Sequence, residues 1–477
     1  MDTSKSSLFN NPLLDDSHII KIQKKLCENK SVFNQYLKQT YLNLEKTKPL
    51  NAILSIIKDY EFNSENQDSL LNNILYAVKD NINVKNTITT GGSLFFENYK
   101  SPYSATVIEQ LDKSGAIPVC KTNLDEFGLG GTGLFSGYGD TINPIDKTRI
   151  PGGSSSGSAV LTALNTVVFA LGTDTGDSIR MPASYLGVYG FKPSYGIISR
   201  FGVFPYSPSI DHVGVFANSI ADIAIVMDCV NQYDPNDFTS QNVKLDFLKN
   251  FDNVNPILKV GYFENIVELL DTSEKKIFFD TLNKVKQKYE VVSLSFDKQL
   301  IDLIPVVYEI LSYSEAVSCY QNITGITFGK KGSKRGFEAQ IKETRSQNFG
   351  KELKRRFVLG SFTTLQGNED LLNRCKQIRR LIVDKTNAFL NQCDFFIMPG
   401  SSSVAPKIED VKNHKAFANA VDNYLQIANF GGFASLTIPN AKINGLPIGI
   451  NIMGQVNSDA LLLAFAKQVD LLIKGGK

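Results

Sequence analysis

Two loops rich in small hydroxyl residues carry the densest chemical signal in the chain. The first is Gly152-Gly153-Ser154-Ser155-Ser156-Gly157-Ser158. The second is Gly172-Thr173-Asp174-Thr175-Gly176-Asp177-Ser178-Ile179-Arg180-Met181-Pro182-Ala183. Loops of this kind offer a hydroxyl to attack a carbonyl and backbone N–H groups to hold the oxyanion that forms. A serine alone is a poor nucleophile and needs a base. The chain has three histidines, His18, His212 and His414, and of these His212 lies nearest the loops. Spacing leaves a Ser-His-Asp triad open, but Asp211 and His212 are adjacent and so ill placed to act as its aligned pair. A lysine serves as base where burial lowers its pKa and frees the neutral amine. Lys79 follows the apolar run Ile74-Leu75-Tyr76-Ala77-Val78, and a strand there carries its amine into a dry interior.

Two look-alikes point elsewhere and lack essential parts. Gly152 and Gly157 have P-loop spacing, but Ser158 stands where the phosphate-binding lysine is needed. Gly128-Leu129-Gly130-Gly131-Thr132-Gly133 fits G-x-G-x-x-G. A dinucleotide site needs a strand before that motif and a helix after it, whereas a further Gly/Ser-rich loop follows here.

The elements that must position the loops read as alternating strands and helices. Residues 1–60 read as an N-terminal helical segment, with Ile19, Ile20, Ile22 and Leu26 on one apolar face. From about residue 61 the pattern is that of a single α/β domain. Strands are expected near 74–78, 116–120, 167–171, 395–398, 436–439 and 448–453. Helices are expected near 105–114, 158–164, 220–230, 305–320, 350–359, 368–391 and 458–472. Such alternation predicts an α/β sandwich, with a largely parallel or mixed sheet covered by helices on both faces. The charged stretch 235–300 reads as a loop-like insertion. The apolar run Ala159–Gly172 is broken by Thr162, Asn165 and Thr166, too short and polar to span a bilayer.

Bulk properties exclude several classes. Lys plus Arg number 50 and Asp plus Glu 48, so the net charge of +2 gives no case for polyanion binding over the whole surface. Lys330, Lys331, Lys334 and Arg335 form a local basic run that reads first as a solvated, glycine-containing loop. Six cysteines without a C-x-x-C pair read as free thiols in a reducing compartment. Three histidines and no H-E-x-x-H leave no metal site to expect. The polar, early-acidic opening resembles neither a secretory signal nor an Arg-rich transit peptide. A soluble cytoplasmic protein is expected, with an organellar matrix as the alternative.

Ala77-Val78-Lys79-Asp80-Asn81, Pro151–Ser158 and Gly172–Ala183 together resemble the amidase signature family, in order and in spacing, with Ser178 placed 24 residues after Ser154. The resemblance implies the amidase-signature fold and a Ser-Ser-Lys triad. In it Ser178 attacks the amide, Ser154 relays the proton from a cis peptide bond, and Lys79 is the final base. It also implies an oxyanion hole from the backbone N–H groups around Thr175, Gly176, Asp177 and Ser178.

Within the family, the chain is similar to the A subunits of aspartyl/glutamyl-tRNA amidotransferases. The stretches that carry this likeness include Lys121–Phe127, Tyr195–Gly202, Gly325–Gly329, Phe349–Gly360 and Asn444–Gly449. The likeness implies glutamine hydrolysis, with ammonia passed to partner subunits B and C or an organellar equivalent. No cofactor is implied for this chain. ATP and magnesium belong to the partner, which holds the mischarged Glu-tRNA(Gln) or Asp-tRNA(Asn), so contact with tRNA is indirect. Glutamine is a zwitterion at its α-carbon. By the match Arg356 holds the α-carboxylate, Asp422 the α-ammonium, and Tyr308 walls the pocket.

Three stretches depart from the family pattern. Asp177 stands where glycine is usual, and the loops after Gly131 and after Met398 differ. Two alternatives therefore stand beside the leading one: a free-standing small-molecule amidase, and an assembly subunit with a weakened site.

Overall fold

A computed structural model describes residues 9, 11–29, 31–61, 65–66, 68–251, 257–365, 367–413 and 420–475. His414 lies outside them. Among the described residues, eleven strands make one sheet in the order β1-β3-β2-β4-β6-β5-β10-β11-β9-β7-β8. They are β1 (Ile53–Ile56), β2 (Leu75–Lys79), β3 (Ile117–Thr122), β4 (Phe169–Asp174), β5 (Tyr189–Lys192), β6 (His212–Ala217), β7 (Lys259–Phe263), β8 (Glu290–Leu294), β9 (Phe395–Pro399), β10 (Ser435–Ile443) and β11 (Leu446–Gly454). β2 runs parallel to β3 and β4, and β7 parallel to β8 and β9. The pairs from β4 through β6, β5, β10 and β11 to β9 are antiparallel. The sheet is therefore mixed, the second of the two forms that the alternation left open.

Successive side chains of a strand point to opposite faces, and here both faces are dry. Leu75 and Ala77 of β2 pack in one core with Ala159 and Val160 of the helix Ser156–Ala163. Tyr76 and Val78 pack in the other with Ile223 and Met227 of the helix Ile220–Val230. Helices thus cover the sheet on both sides. That explains why β2 and β4 read as continuous apolar runs. No helix among the described residues is long and apolar enough to cross a membrane. The apolar run 159–172 is the end of one helix, a turn and β4.

Three local expectations change. Ile53–Ile56, read with the N-terminal helical segment, is a strand that pairs antiparallel with β3. The stretch 235–300 is not loop throughout. Helix and strand are absent from the described residues 231–258, but β7, the helix Thr272–Val285 and β8 then extend the sheet at its end. The helix and β8 hid because an element at the edge of a sheet needs little apolar pattern. β8 is nowhere fully buried, and that helix buries a narrow stripe that includes Phe278, Leu282 and Val285. A helix at Phe337–Asn348, with Thr344 and Asn348 as its buried residues, likewise had no apolar period to show.

Candidate active site

Alternation along β2 puts Lys79 on the face of Leu75 and Ala77, at the start of the helix Ser156–Ala163. Its Nζ lies 2.8 Å from Ser154 Oγ, 2.8 Å from Ser155 Oγ and 2.7 Å from Thr173 Oγ1. Ser155 Oγ donates to the Thr173 carbonyl at 3.0 Å, so it can only accept from Lys79. Thr173 Oγ1 already accepts from Asn81 Nδ2 at 3.1 Å and serves Lys79 as a second acceptor. A neutral amine has two N–H groups and one lone pair. With both N–H groups so taken, the lone pair faces the Ser154 hydroxyl. Full burial pushes the Lys79 amine down to about 7, against the pull of Asp125, Asp174 and Asp211. The neutral base is therefore present near neutral pH.

The Gly153–Ser154 peptide bond is cis, as the resemblance implies. Gly153 is required because a Cβ there would fall on the Asp125 carboxylate. Asp125 in turn accepts from the N–H groups of Thr132, Gly133 and Phe135 at 2.9–3.2 Å. The divergent loop after Gly131 is thereby folded around one buried carboxylate.

The second loop is fixed by Arg180, which is fully buried. Its guanidinium grips Asp174 through Nε (3.1 Å) and Nη2 (3.0 Å), and also reaches the Gly176 carbonyl (2.7 Å), the Leu425 carbonyl (2.7 Å) and Asn429 Oδ1 (2.6 Å). Thr175 Oγ1 donates to Asp211 Oδ1 at 2.6 Å, and Asp211 Oδ2 accepts from the N–H groups of Tyr206 and Ser207. Tied at both ends, the loop keeps its N–H groups free. Among the described residues those of Thr175, Gly176, Asp177 and Ser178 donate to nothing, while that of Ile179 is taken by Asp174. The Ser155 N–H donates to the Ser178 carbonyl at 3.3 Å, which holds the two serine loops side by side. Ser178 itself is buried. A cavity of about 390 Å³ reaches Thr173 and Thr175 and is lined also by Asn81, Gly128 and Tyr206.

His212 is no base for Ser178. It sits in β6 with Nδ1 bonded to the Ile210 carbonyl at 2.8 Å, and burial holds the ring well below its ordinary pKa, hence neutral. Asp211 faces Thr175 instead.

The residues implied for a zwitterion gather around Gly176 and Asp177. Tyr308 covers Gly176 so closely that a Cβ there would lie 2.9 Å from its ring. Arg356 spends Nε on Glu352 at 2.8 Å and Nη1 on Tyr206 Oη at 3.0 Å. Asp422 takes the Ser402 N–H and hydroxyl, each at 2.7 Å, so the divergent segment after Met398 anchors it. Asp177, half-buried, feels both Arg356 and Asp422. Its carboxyl is pushed up to about 7 by burial and then by Asp174 and Asp422, against Arg180 and Arg356.

Sequence reasoning missed Asp125, Arg180 and Asp211. Arg180 stood within the second loop and Asn429 opened an Asn-Phe-Gly-Gly segment, but nothing in one dimension joins two positions so far apart.

The amidase family model matches residues 47–463. The chain is 43% identical over 465 residues to a glutamyl-tRNA(Gln) amidotransferase A subunit of Mycoplasma genitalium, covering 94% of this chain and 97% of that protein. It is 34% identical to the A subunit of the same description from Sulfurisphaera tokodaii, over 95% and 98%. Among solved structures, the glutamyl-tRNA(Gln) amidotransferase A subunit of Thermotoga maritima superposes with a TM-score of 0.76 at 30% identity, over 90% of each chain. A peptide amidase of Stenotrophomonas maltophilia, at 24% identity, shares the fold with a TM-score of 0.79, over 98% and 99%.

Proposed function

The chain belongs to the amidase family, and on that premise we propose that it is the glutamine-hydrolysing A subunit of a tRNA-dependent amidotransferase. The observation that carries the chemistry is the fully buried Lys79 amine, 2.8 Å from Ser154 Oγ. Relatives described as A subunits, similar along nearly the whole chain, support the physiological role.

In this reading Ser178 Oγ attacks the γ-carboxamide carbon of glutamine. Its proton passes to Ser154, whose own proton passes to the Lys79 lone pair. The oxyanion rests on the free N–H groups of residues 175–178, where each well-aimed donor is worth about 3 kcal/mol in the transition state. Collapse breaks the C–N bond, and the proton held by Lys79 returns through Ser154 to the departing ammonia. Water then cleaves the glutamyl ester by the same relay. Arg356, whose Nη2 is left over from its two internal bonds, takes the α-carboxylate. Asp422 takes the α-ammonium, and Tyr308 closes the wall. Partner subunits B and C receive the ammonia, and ATP and magnesium act in the partner that holds the mischarged tRNA. The cytoplasm is the compartment that suits this role.

The test is glutamine-dependent conversion of Glu-tRNA(Gln) or Asp-tRNA(Asn) by the chain co-expressed with its partners. The isolated chain is expected to hydrolyse glutamine slowly and the complex at least about tenfold faster. Rapid hydrolysis of simple aliphatic amides by the chain alone, with none of glutamine, would instead make it a free-standing amidase.

Asp177 favours a second reading, an assembly subunit with a weakened site. An anion beside the nucleophile opposes the oxyanion, and Asp177 ionises above about 7. Lys79 becomes neutral, and so active, above about 7. The two effects have opposite signs with rising pH, so the wild-type profile is expected to rise and then flatten or fall. Asp177→Asn keeps the Lys79 limb and loses the Asp177 limb. Its kcat is expected to go on rising and to exceed wild type by about tenfold on the alkaline side, equivalent to about 1.4 kcal/mol. Identical profiles would show that the carboxylate does not act on the transition state. Labelling of Ser178 by an amide-directed covalent probe, abolished in Lys79→Ala, would dispose of the weakened-site reading.

A further inference from the structure

Residues 324–356 carry ten lysines and arginines against three glutamates, in a chain of net charge +2. Everything outside that stretch is therefore net acidic. The cations begin on the loop before the helix Phe337–Asn348, where Lys330, Lys331, Lys334 and Arg335 are all exposed. Lys330 pairs with Glu97 at 2.9 Å. Among the described residues Lys331, Lys334 and Arg335 have no ion-pair partner, although Glu343 takes the Lys334 N–H and the Ser333 hydroxyl nearby.

The loop is pinned. Gly329, at φ +74°, packs where a Cβ would overlap the Phe95 ring, and the Lys330 N–H donates to the Phe95 carbonyl at 3.0 Å. Further along, the Gly332 N–H donates to Thr344 Oγ1 at 3.0 Å. Two phenylalanines flank the cations. Phe337 is 69% exposed. Phe328 is 42% exposed, stacked on Phe96 and in edge contact with Phe95. The helix after the loop ties it to the region of the site, because the Gly350 N–H that follows that helix donates to Glu126, two residues before Gly128.

An acidic protein would meet the cations but has no need of two rings standing beside them. Lysines and arginines interleaved with open aromatic faces suit phosphates and unpaired bases. We infer that the loop Ile326–Phe337 binds RNA directly, its cations on the phosphates and Phe328 and Phe337 stacked on bases, so that this chain itself touches the transfer RNA. This rests on the proposed function for the identity of the RNA, and it replaces the indirect contact that the family resemblance implies.

The test is fluorescence anisotropy of labelled total tRNA titrated with the full-length chain across a series of KCl concentrations. The triple variant K331E/K334E/R335E is expected to bind at least about tenfold more weakly, with the slope of log K against log salt shallower by about 2. F337A is expected to weaken binding about fivefold or more with the slope unchanged, since a ring releases no counterions. All four residues are exposed and none touches the triad, so melting temperature and glutamine hydrolysis in the assembled complex should match wild type. Unchanged affinity and slope in the triple variant would overturn the inference. So would a triple variant that binds tRNA normally but no longer assembles with its partner subunits, which would make the loop a protein interface. A wild-type complex that binds tRNA through this loop yet hydrolyses no glutamine would leave the inference standing and remove the proposed function.

Discussion

Replacing Lys79 with alanine is expected to slow glutamine hydrolysis by about 10⁴-fold, and Ser178→Ala by a similar factor or more. The size follows from the way the proposed triad is wired. Lys79 Nζ reaches Ser154 Oγ, and His212, turned to the Ile210 carbonyl, is not placed to substitute for it. In the proposed relay the three residues act as a unit, so the double variant Lys79→Ala/Ser178→Ala should be no slower than the slower single one; multiplicative losses would mean that they do not share one step. Lys79→Met keeps most of the buried volume, so a melting temperature near wild type with the same loss of rate separates chemistry from folding. Residual activity in Lys79→Met should also lose the rise with pH through about 7 that the wild-type amine imposes. Ser154→Ala interrupts the relay between nucleophile and base and should cost nearly as much.

The largest effect on stability is expected at the Asp174–Arg180 pair, which is wholly buried with a separation of 3.0 Å. Removing one member of such a pair strands the other charge and costs about 3–5 kcal/mol. Arg180→Met should therefore lower the unfolding midpoint more than Arg355→Met, whose guanidinium is half exposed on its own helix. Arg180 and Lys192, with the Ile179 N–H, hold the Asp174 carboxyl well below its ordinary range despite burial. A carboxyl depressed in the folded state stabilises fully above the ordinary carboxylate range and loses that contribution as pH falls through and below it. The gap between wild type and Arg180→Met should accordingly be widest near neutrality and narrow in acid. The double variant Asp174→Asn/Arg180→Met should unfold closer to wild type than Arg180→Met does, since no charge is left unpaired. Activity should fall in both, because the same guanidinium holds the Gly176 carbonyl and through it the free N–H groups. Midpoints are the quantity to compare, because a chain of this size need not unfold in one step.

Much of the site was legible in one dimension. Lys79 stood out as the amine that ends an apolar run and the serines as members of two glycine-flanked hydroxyl loops, while the choice of Ser154 and Ser178 among those serines came from the family resemblance. The buried elements that carry them, β2, β4 and the helix Ser156–Ala163, were legible for the same reason, since burial on both faces leaves an unbroken apolar run. The edge strand β8 and the helix Phe337–Asn348 were not, because solvent tolerates polar residues there and erases the period.

What only the tertiary structure decided is how distant groups meet. The sequence supplies a lysine, but its pKa comes from burial among the hydroxyls of residues 154, 155 and 173, brought in by two separate stretches of chain. It supplies the second serine loop, but the direction of that loop's N–H groups comes from Arg180 gripping Asp174 and Asn429, and from Asp211 holding Thr175. It supplies Asp177 as an oddity, and the fold turns it into a titrating group by burying it near Asp174 and Asp422. The basic run at 330–335 reads as a solvated loop until Phe328 and Phe337 are seen exposed on either side of it. Local patterns are written in spacing, whereas desolvation, charge pairing and exposure depend on contacts between residues hundreds of positions apart, and these exist only in the folded chain.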